Sequence, residues 1–309
     1  MGFLPLWRKL RKECAHVMGQ FLNGKKYYVS SAYVTSKKPA SAGAVQTTSQ
    51  TAAGAQTSGG TAIALSSNYK YANYSKINSG TATLYRSTAS NKKNKVVCVN
   101  AGHGTNGGGS VKTQCHPDGS AKVTGGTTGA GATSAVAVSS GMTFADGTAE
   151  SKVTLAMAKV LKTKLLNAGY DVLMIRESDD VQLDNIARTV IANNNADCHI
   201  ALHWDSTSSN KGAFFMSVPS NATYRAMEPV ASHWKQHNQL GESLISGLKS
   251  AGVKIYSKGS MEMDLTQTSY STIPSVDIEL GDKASDHSGA TLETLANGLL
   301  AGVNTFFGQ

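Results

Sequence analysis

The chain is poor in cysteine, in long apolar runs and, over its first third, in acid. Its four cysteines (Cys14, Cys98, Cys115, Cys198) form no CxxC pair and are too sparse for a disulfide framework. A zinc knuckle and a disulfide-stapled scaffold are both excluded on that ground. Cys98 and Cys198 fall inside apolar runs, where a free thiol behaves as a small buried hydrophobe. No stretch approaches the ~18 consecutive apolar residues that a membrane span needs. The start carries an apolar run of only five residues, FLPLW, ahead of its basic cluster, so no signal peptide is recognisable. Residues 1–95 hold a single acid, Glu13, against 14 Lys and Arg, while residues 96–309 hold 15 Lys and Arg against 19 acids. The net charge of +9 is therefore an amino-terminal property.

What is present divides the 309 residues into three parts. Residues 1–34 form a basic segment in which Leu6, Leu10, Cys14, Val17 and Phe21 follow steps of three and four, the pattern of a short amphipathic helix suited to an anionic surface. Residues 35–94 are a linker and lead-in, with 35–67 almost wholly Ser, Thr, Ala and Gly, too apolar-poor to offset the entropy of ordering. From residue 95 to 309, buried-strand runs alternate with helical periodicity, the signature of an α/β domain with a mostly parallel sheet flanked by helices. Strands are expected at 96–99, 171–175, 199–202, 213–217 and 276–280. Helices are expected at 149–167, 183–193, 233–250 and 290–306. A Gly-, Thr- and Ser-rich insertion, about 105–148, is expected as a flap or an ordered hairpin over the site.

Four polar groups sit where an open α/β sheet collects its ligands, at the carboxyl ends of the strands. His103 lies in a Gly-flanked turn after the first strand, His203 closes the Cys198–Leu202 run, Glu150 opens the long helix, and Glu279 stands near the end of the last strand. Two imidazoles and one carboxylate, from His103, His203 and Glu150, would cage Zn²⁺ and leave its fourth position open, the pattern of catalytic zinc. Glu279, a carboxylate between Ile278 and Leu280, is costly to bury without a purpose and is the candidate base. Singly, each has an ordinary explanation: Glu150 as a partner of the helix dipole, His203 as a half-buried core histidine. The combination points to a metallohydrolase. His116 and Asp118 in the insertion, and the i, i+4 pair His233 and His237, are weaker candidates.

The runs VVCVNAGHG, ESKVTL, R-x-x-x-A-N (Arg188–Asn193), HWD (His203–Asp205) and VDIELGD, in that order, resemble the zinc-dependent N-acetylmuramoyl-L-alanine amidases of bacteria and their phages over about 95–309. The resemblance implies that His103, Glu150 and His203 bind Zn²⁺ and that Glu279 is the catalytic acid/base, cutting the amide between muramic acid and L-alanine in peptidoglycan. It implies action outside the cell, on the bacterial wall. Asn100, where that family commonly has Asp, is expected to alter the orientation of His103, and Asp205 replaces the usual Asn. A zinc peptidase cutting within the stem peptide and an inactive wall-binding module are the competing expectations. Given such a domain, the basic amino terminus is expected to meet anionic wall polymers or a membrane surface rather than nucleic acid.

Overall fold

A computed structural model describes residues 17–22, 25–30 and 59–309. The chain divides into two units, residues 1–52 and 53–309. In the first, strands β1 (Val17–Leu22) and β2 (Lys25–Ser30) pair antiparallel from Leu22 opposite Lys25 outward. The amphipathic helix expected through Phe21 is not found over Val17–Leu22, which is strand. Asn23-Gly24, a strong short-range hairpin signal, separates the paired runs in sequence and outweighs a weak helical spacing. The rest of that expectation, residues 1–16, lies outside the described residues.

The second unit is an α/β domain. In chain order it contains β3 (Thr61–Ala64), β4 (Thr81–Tyr85), β5 (Val96–Ala101), β6 (Lys112–Gln114), β7 (Ser134–Val136), α1 (Glu150–Asn167), β8 (Asp171–Met174) and α2 (Asn185–Asn195). Then come β9 (Cys198–Asp205), β10 (Ala213–Ser217), α3 (Ala222–Ala226), α4 (Val230–Ser250), β11 (Ile255–Glu262), α5 (Thr266–Tyr270), β12 (Ser275–Asp282) and α6 (Gly289–Phe307). Eight strands form one sheet in the order β11-β10-β12-β9-β5-β8-β4-β3. Its centre, β8-β5-β9-β12, is parallel, and antiparallel pairings of β10 with β12 and of β4 with β8 extend it on both sides. The fold is thus the mostly parallel, helix-flanked sheet expected. It starts earlier than residue 95, because β3 and β4 from the expected linker and lead-in complete one edge.

The two sheet faces explain where the chemistry goes. Side chains alternate along a strand. Val97, Val99 and Ala101 of β5, Ile200, Leu202 and Trp204 of β9, and Val276, Ile278 and Leu280 of β12 enter one apolar core. Against them pack Met157, Leu161 and Leu165 of α1, Leu244 and Leu248 of α4, and Leu295 and Leu299 of α6. Each such side chain contributes about 1.5–3 kcal/mol by leaving water. The alternate positions of the same strands are polar: Asn100, His199, His203, Ser275, Asp277 and Glu279. A half-polar inner face in a parallel sheet opens onto a site at its carboxyl edge. Cys98 and Cys198 are free and buried, as their apolar surroundings predicted, and Cys115 is free and buried as well.

Candidate metal centre

His103 is displayed by strain. It stands just beyond β5 with φ +64, a left-handed conformation uncommon for residues other than Gly and, less often, Asn, Asp and His. Two buried guanidiniums hold the turn there. Arg188 on α2 donates to the His103 carbonyl at 2.7 Å and to the Ala101 carbonyl at 3.2 Å. Arg176, just after β8, donates to the Gly102 carbonyl at 2.9 Å. Among the described residues neither pairs directly with a carboxylate; burial in these carbonyl cages lowers Arg176 to about 10 and Arg188 to about 9.

Glu150, at the first turn of α1, and His203, near the end of β9, complete a close triangle with His103. His103 Nε2 lies 2.8 Å from Glu150 Oε1, His203 Nδ1 lies 3.0 Å from His103 Nε2, and His203 Nδ1 lies 3.2 Å from Glu150 Oε1. Around a tetrahedral zinc with bonds near 2.0–2.1 Å, ligand atoms stand roughly 3.3 Å apart. The outward ring nitrogens are engaged elsewhere. His103 Nδ1 donates to the Ser139 carbonyl at 2.8 Å, and His203 Nε2 faces Asp277 Oδ2 at 3.7 Å. Once each ring gives up the proton on its inner nitrogen and keeps the outward one, both inward nitrogens offer the lone pairs a metal ligand requires. The residues present therefore fit a cation.

Glu150 is itself fixed, accepting from Met142 N at 2.8 Å through Oε2 and from Trp204 N at 3.0 Å through Oε1. Burial pushes its acidity up, but hydrogen bonds from His103 and His203 outweigh this and hold the carboxyl well below the usual range. Burial alone would lower His203, yet the facing Asp277 and Glu150 raise it to about 10. Burial and the neighbouring Asp277 carboxylate push Glu279 well above the ordinary carboxylate range. Glu279 is 9% exposed, and its Oε2, like Asp277 Oδ1, has no hydrogen-bond partner among the described residues. All five side chains line one cavity of ≈ 530 Å³.

The insertion forms part of the centre as well as its roof. Ser139 orients His103, and Met142 donates from its backbone N to Glu150 Oε2 while its carbonyl accepts from Glu150 N at 3.0 Å. Asn100, expected to orient His103, does not touch its ring; it accepts from Arg188 at 3.1 Å and meets His199 Nε2 at 3.2 Å. Asn100 and His103 share a partner in the Arg188 guanidinium. Asp205 lines the cavity paired to Lys211. His233 and His237 stack at 6.3 Å, with His237 Nδ1 accepting from Ser275 N, so this pair is structural. His116 is buried against Asp264, 3.1 Å away. The orienting groups Ser139, Arg176 and Asp277 were not singled out in the sequence. Of these only Asp277 carries a local signal, sharing the strand face of Glu279 two residues on.

The family model of N-acetylmuramoyl-L-alanine amidase matches residues 97–297. The chain belongs to that family. Solved structures of amidases agree with the fold. The apo form of the amidase Ami1 from Mycobacterium abscessus matches at 20% identity and a TM-score of 0.51, over 69% of this chain and 98% of that one. Ami1 from Mycobacterium smegmatis matches at 19% and 0.52, over 71% and 99%. An amidase from Clostridium difficile 630 matches at 18% and 0.50, over 70% and 97%. No curated protein matches in sequence. In this amidase-family domain the matched span includes all four predicted site residues.

Proposed function

We propose that the domain hydrolyses the amide between the lactyl group of N-acetylmuramic acid and L-alanine in peptidoglycan, with Zn²⁺ held by His103, Glu150 and His203 and with Glu279 as acid/base. The observation that carries this reading is the triangle of three inward donor atoms beside a buried, unpartnered Glu279 carboxylate in one cavity. When bound, zinc supplies Lewis-acid polarisation of the scissile carbonyl and acidifies water toward a pKa of ~7. The chain's own groups do the rest. Glu279 Oε2 accepts the proton of the attacking water. The burial that raises its proton affinity then lets it return that proton to the departing L-alanine nitrogen, work typically worth about 10²–10⁴ in rate. The Ser139 carbonyl and Asp277 keep the two imidazoles aimed, and Met142 and Trp204 amides keep Glu150 from rotating away.

The catalytic unit of this proposal is residues 59–309, since β3 and β4 complete its sheet. The basic residues ahead of it are assigned to anionic wall polymers or a membrane surface, on their charge alone. The substrate places the activity outside the cell, on the wall. Product analysis of digested peptidoglycan tests the bond. Intact stem peptides beginning with free L-Ala, together with peptide-free glycan, are expected. Cleavage inside the stem peptide would replace the amidase reading with a peptidase.

A further inference from the structure

Asp264, just beyond β11, is 1% exposed and takes every side-chain hydrogen bond it makes from one sequence-remote segment, residues 116–124 of the insertion. Oδ2 meets His116 Nε2 at 3.1 Å and Val123 N at 2.7 Å. Oδ1 accepts from Lys122 Nζ at 3.0 Å, from Thr124 N at 3.1 Å and from the Thr124 hydroxyl. Lys122 also donates to the Asp264 carbonyl, and Asp264 N donates to Thr124 Oγ1 at 3.0 Å. Burial opposes ionisation here, but His116 and the Thr124 hydroxyl more than compensate and keep the carboxyl ionised. One carboxylate thus clasps two chain segments about which neither has any local information.

Both segments contribute to the lining of the cavity. Lys122, Gly126, Thr127 and Thr128 line it from the insertion, and Met263 and Leu265 line it from beside Asp264. They approach closely: a Cβ on Gly126 would lie 3.0 Å from the Met263 sulfur. The inner part of the insertion is anchored separately. Ala137 O accepts from Asn185 N at 3.1 Å, and Met142 is tied to Glu150. The clasp therefore holds the outer wall without touching the residues that fit the cation.

We propose that Asp264 is a specificity-determining positioning residue: by clasping residues 116–124 it holds 122–128 as a preformed wall against which the disaccharide-peptide substrate binds. This rests on the amidase reading. Without the clasp, substrate must order the wall as it binds, and affinity falls while the chemistry is spared.

The test uses the full chain with zinc and a soluble disaccharide-peptide muropeptide. Asp264→Ala is expected to raise KM about tenfold, the cost of ordering a few side chains and their loop, with kcat within twofold and zinc content unchanged. Asp264→Asn, which keeps acceptors for the Val123 and Thr124 amides, is expected to fall between. Thr124→Val supplies a milder opening should Asp264→Ala fold poorly, and hydrogen exchange over 118–132 reports the wall directly. Muropeptide affinity, measured by calorimetry in a Glu279→Gln background with and without Asp264→Ala, separates the two claims. A tenfold loss of affinity with no amide cleavage by wild type keeps the wall and removes the amidase reading. Cleavage by wild type with unchanged KM and affinity in the variants overturns the wall, as does a fall in kcat and zinc content at constant KM.

Discussion

Replacing Gly141 with alanine asks whether the insertion presses on the metal ligands. Gly141 has φ +83, and a Cβ there would lie 2.7 Å from His103 Cδ2 and 2.9 Å from Glu150 Oε2. Ordinary contacts run about 3.5–4.0 Å, so the methyl would intrude by about 1 Å on two candidate ligands. Both are buried and cannot swing into solvent. Zinc sites tolerate about 0.2 Å in ligand distance, and disturbing groups that orient ligands typically costs about 10–100-fold in affinity. Gly141→Ala is therefore expected to weaken zinc binding by roughly that factor. Gly147 is the internal control: it has φ +89 in the same insertion, but a Cβ there meets no described atom within 4 Å. Either substitution incurs the left-handed strain of roughly 1–2 kcal/mol. Competition with a chromophoric chelator gives the affinities, and thermal denaturation of the metal-free proteins gives the strain. A larger loss of stability in Gly141→Ala than in Gly147→Ala, with the zinc defect confined to Gly141→Ala, is expected; equal zinc affinities in the two variants would refute the reasoning.

Arg188→Met should leave the His103, Ala101 and Leu183 carbonyls short of a buried donor, lowering stability by about 3 kcal/mol or more; urea denaturation checks this, and the released His103 turn should also weaken zinc binding. Leu161→Ala, in the fully buried stripe of α1, should cost about 2–5 kcal/mol without changing metal stoichiometry. His199 and His237 are held neutral chiefly by burial, each lowered to about 3. Because the unfolded histidines take up protons first, their contribution is complete above pH ~6.5 and declines as pH falls toward the folded values. Urea unfolding at pH 7, 6 and 5 should show stability dropping by roughly 1 kcal/mol per pH unit for each histidine below that point, and His237→Gln should shallow the slope. A pH-independent stability over that range would contradict the burial argument.

The parallel centre of the sheet was legible because β5 and β8 are near-continuous apolar runs, while β9 and β12 alternate apolar with polar residues about one buried face. Its edges were not. Thr61–Ala64 and Thr81–Tyr85 are short and threonine-rich, and Ile255–Glu262 carries Ser, Lys and Gly, compositions that blunt an edge strand and hide it among loops. The triangle of His103, Glu150 and His203 was legible for a topological reason: three chain segments end at the same sheet edge. Arg188 was visible as part of a motif, though its work, caging the carbonyls of a left-handed turn, depends on a φ that no spacing encodes. Ser139 and Asp264 act across 36 and about 140 residues through contacts that leave no periodicity. Glycine and serine in the insertion marked it as irregular. Residues 116–124 of it are tied to a carboxylate far along the chain.

The central claim is that the triangle holds a catalytic zinc and Glu279 moves the proton. The most direct measurement is zinc content together with release of L-Ala amino termini from peptidoglycan, for wild type and Glu279→Gln. One zinc per chain in both, with L-Ala release lost by about 10²–10⁴ only in the variant, is the predicted result. Wild type that cleaves without zinc, or Glu279→Gln that cleaves as fast as wild type, would contradict it.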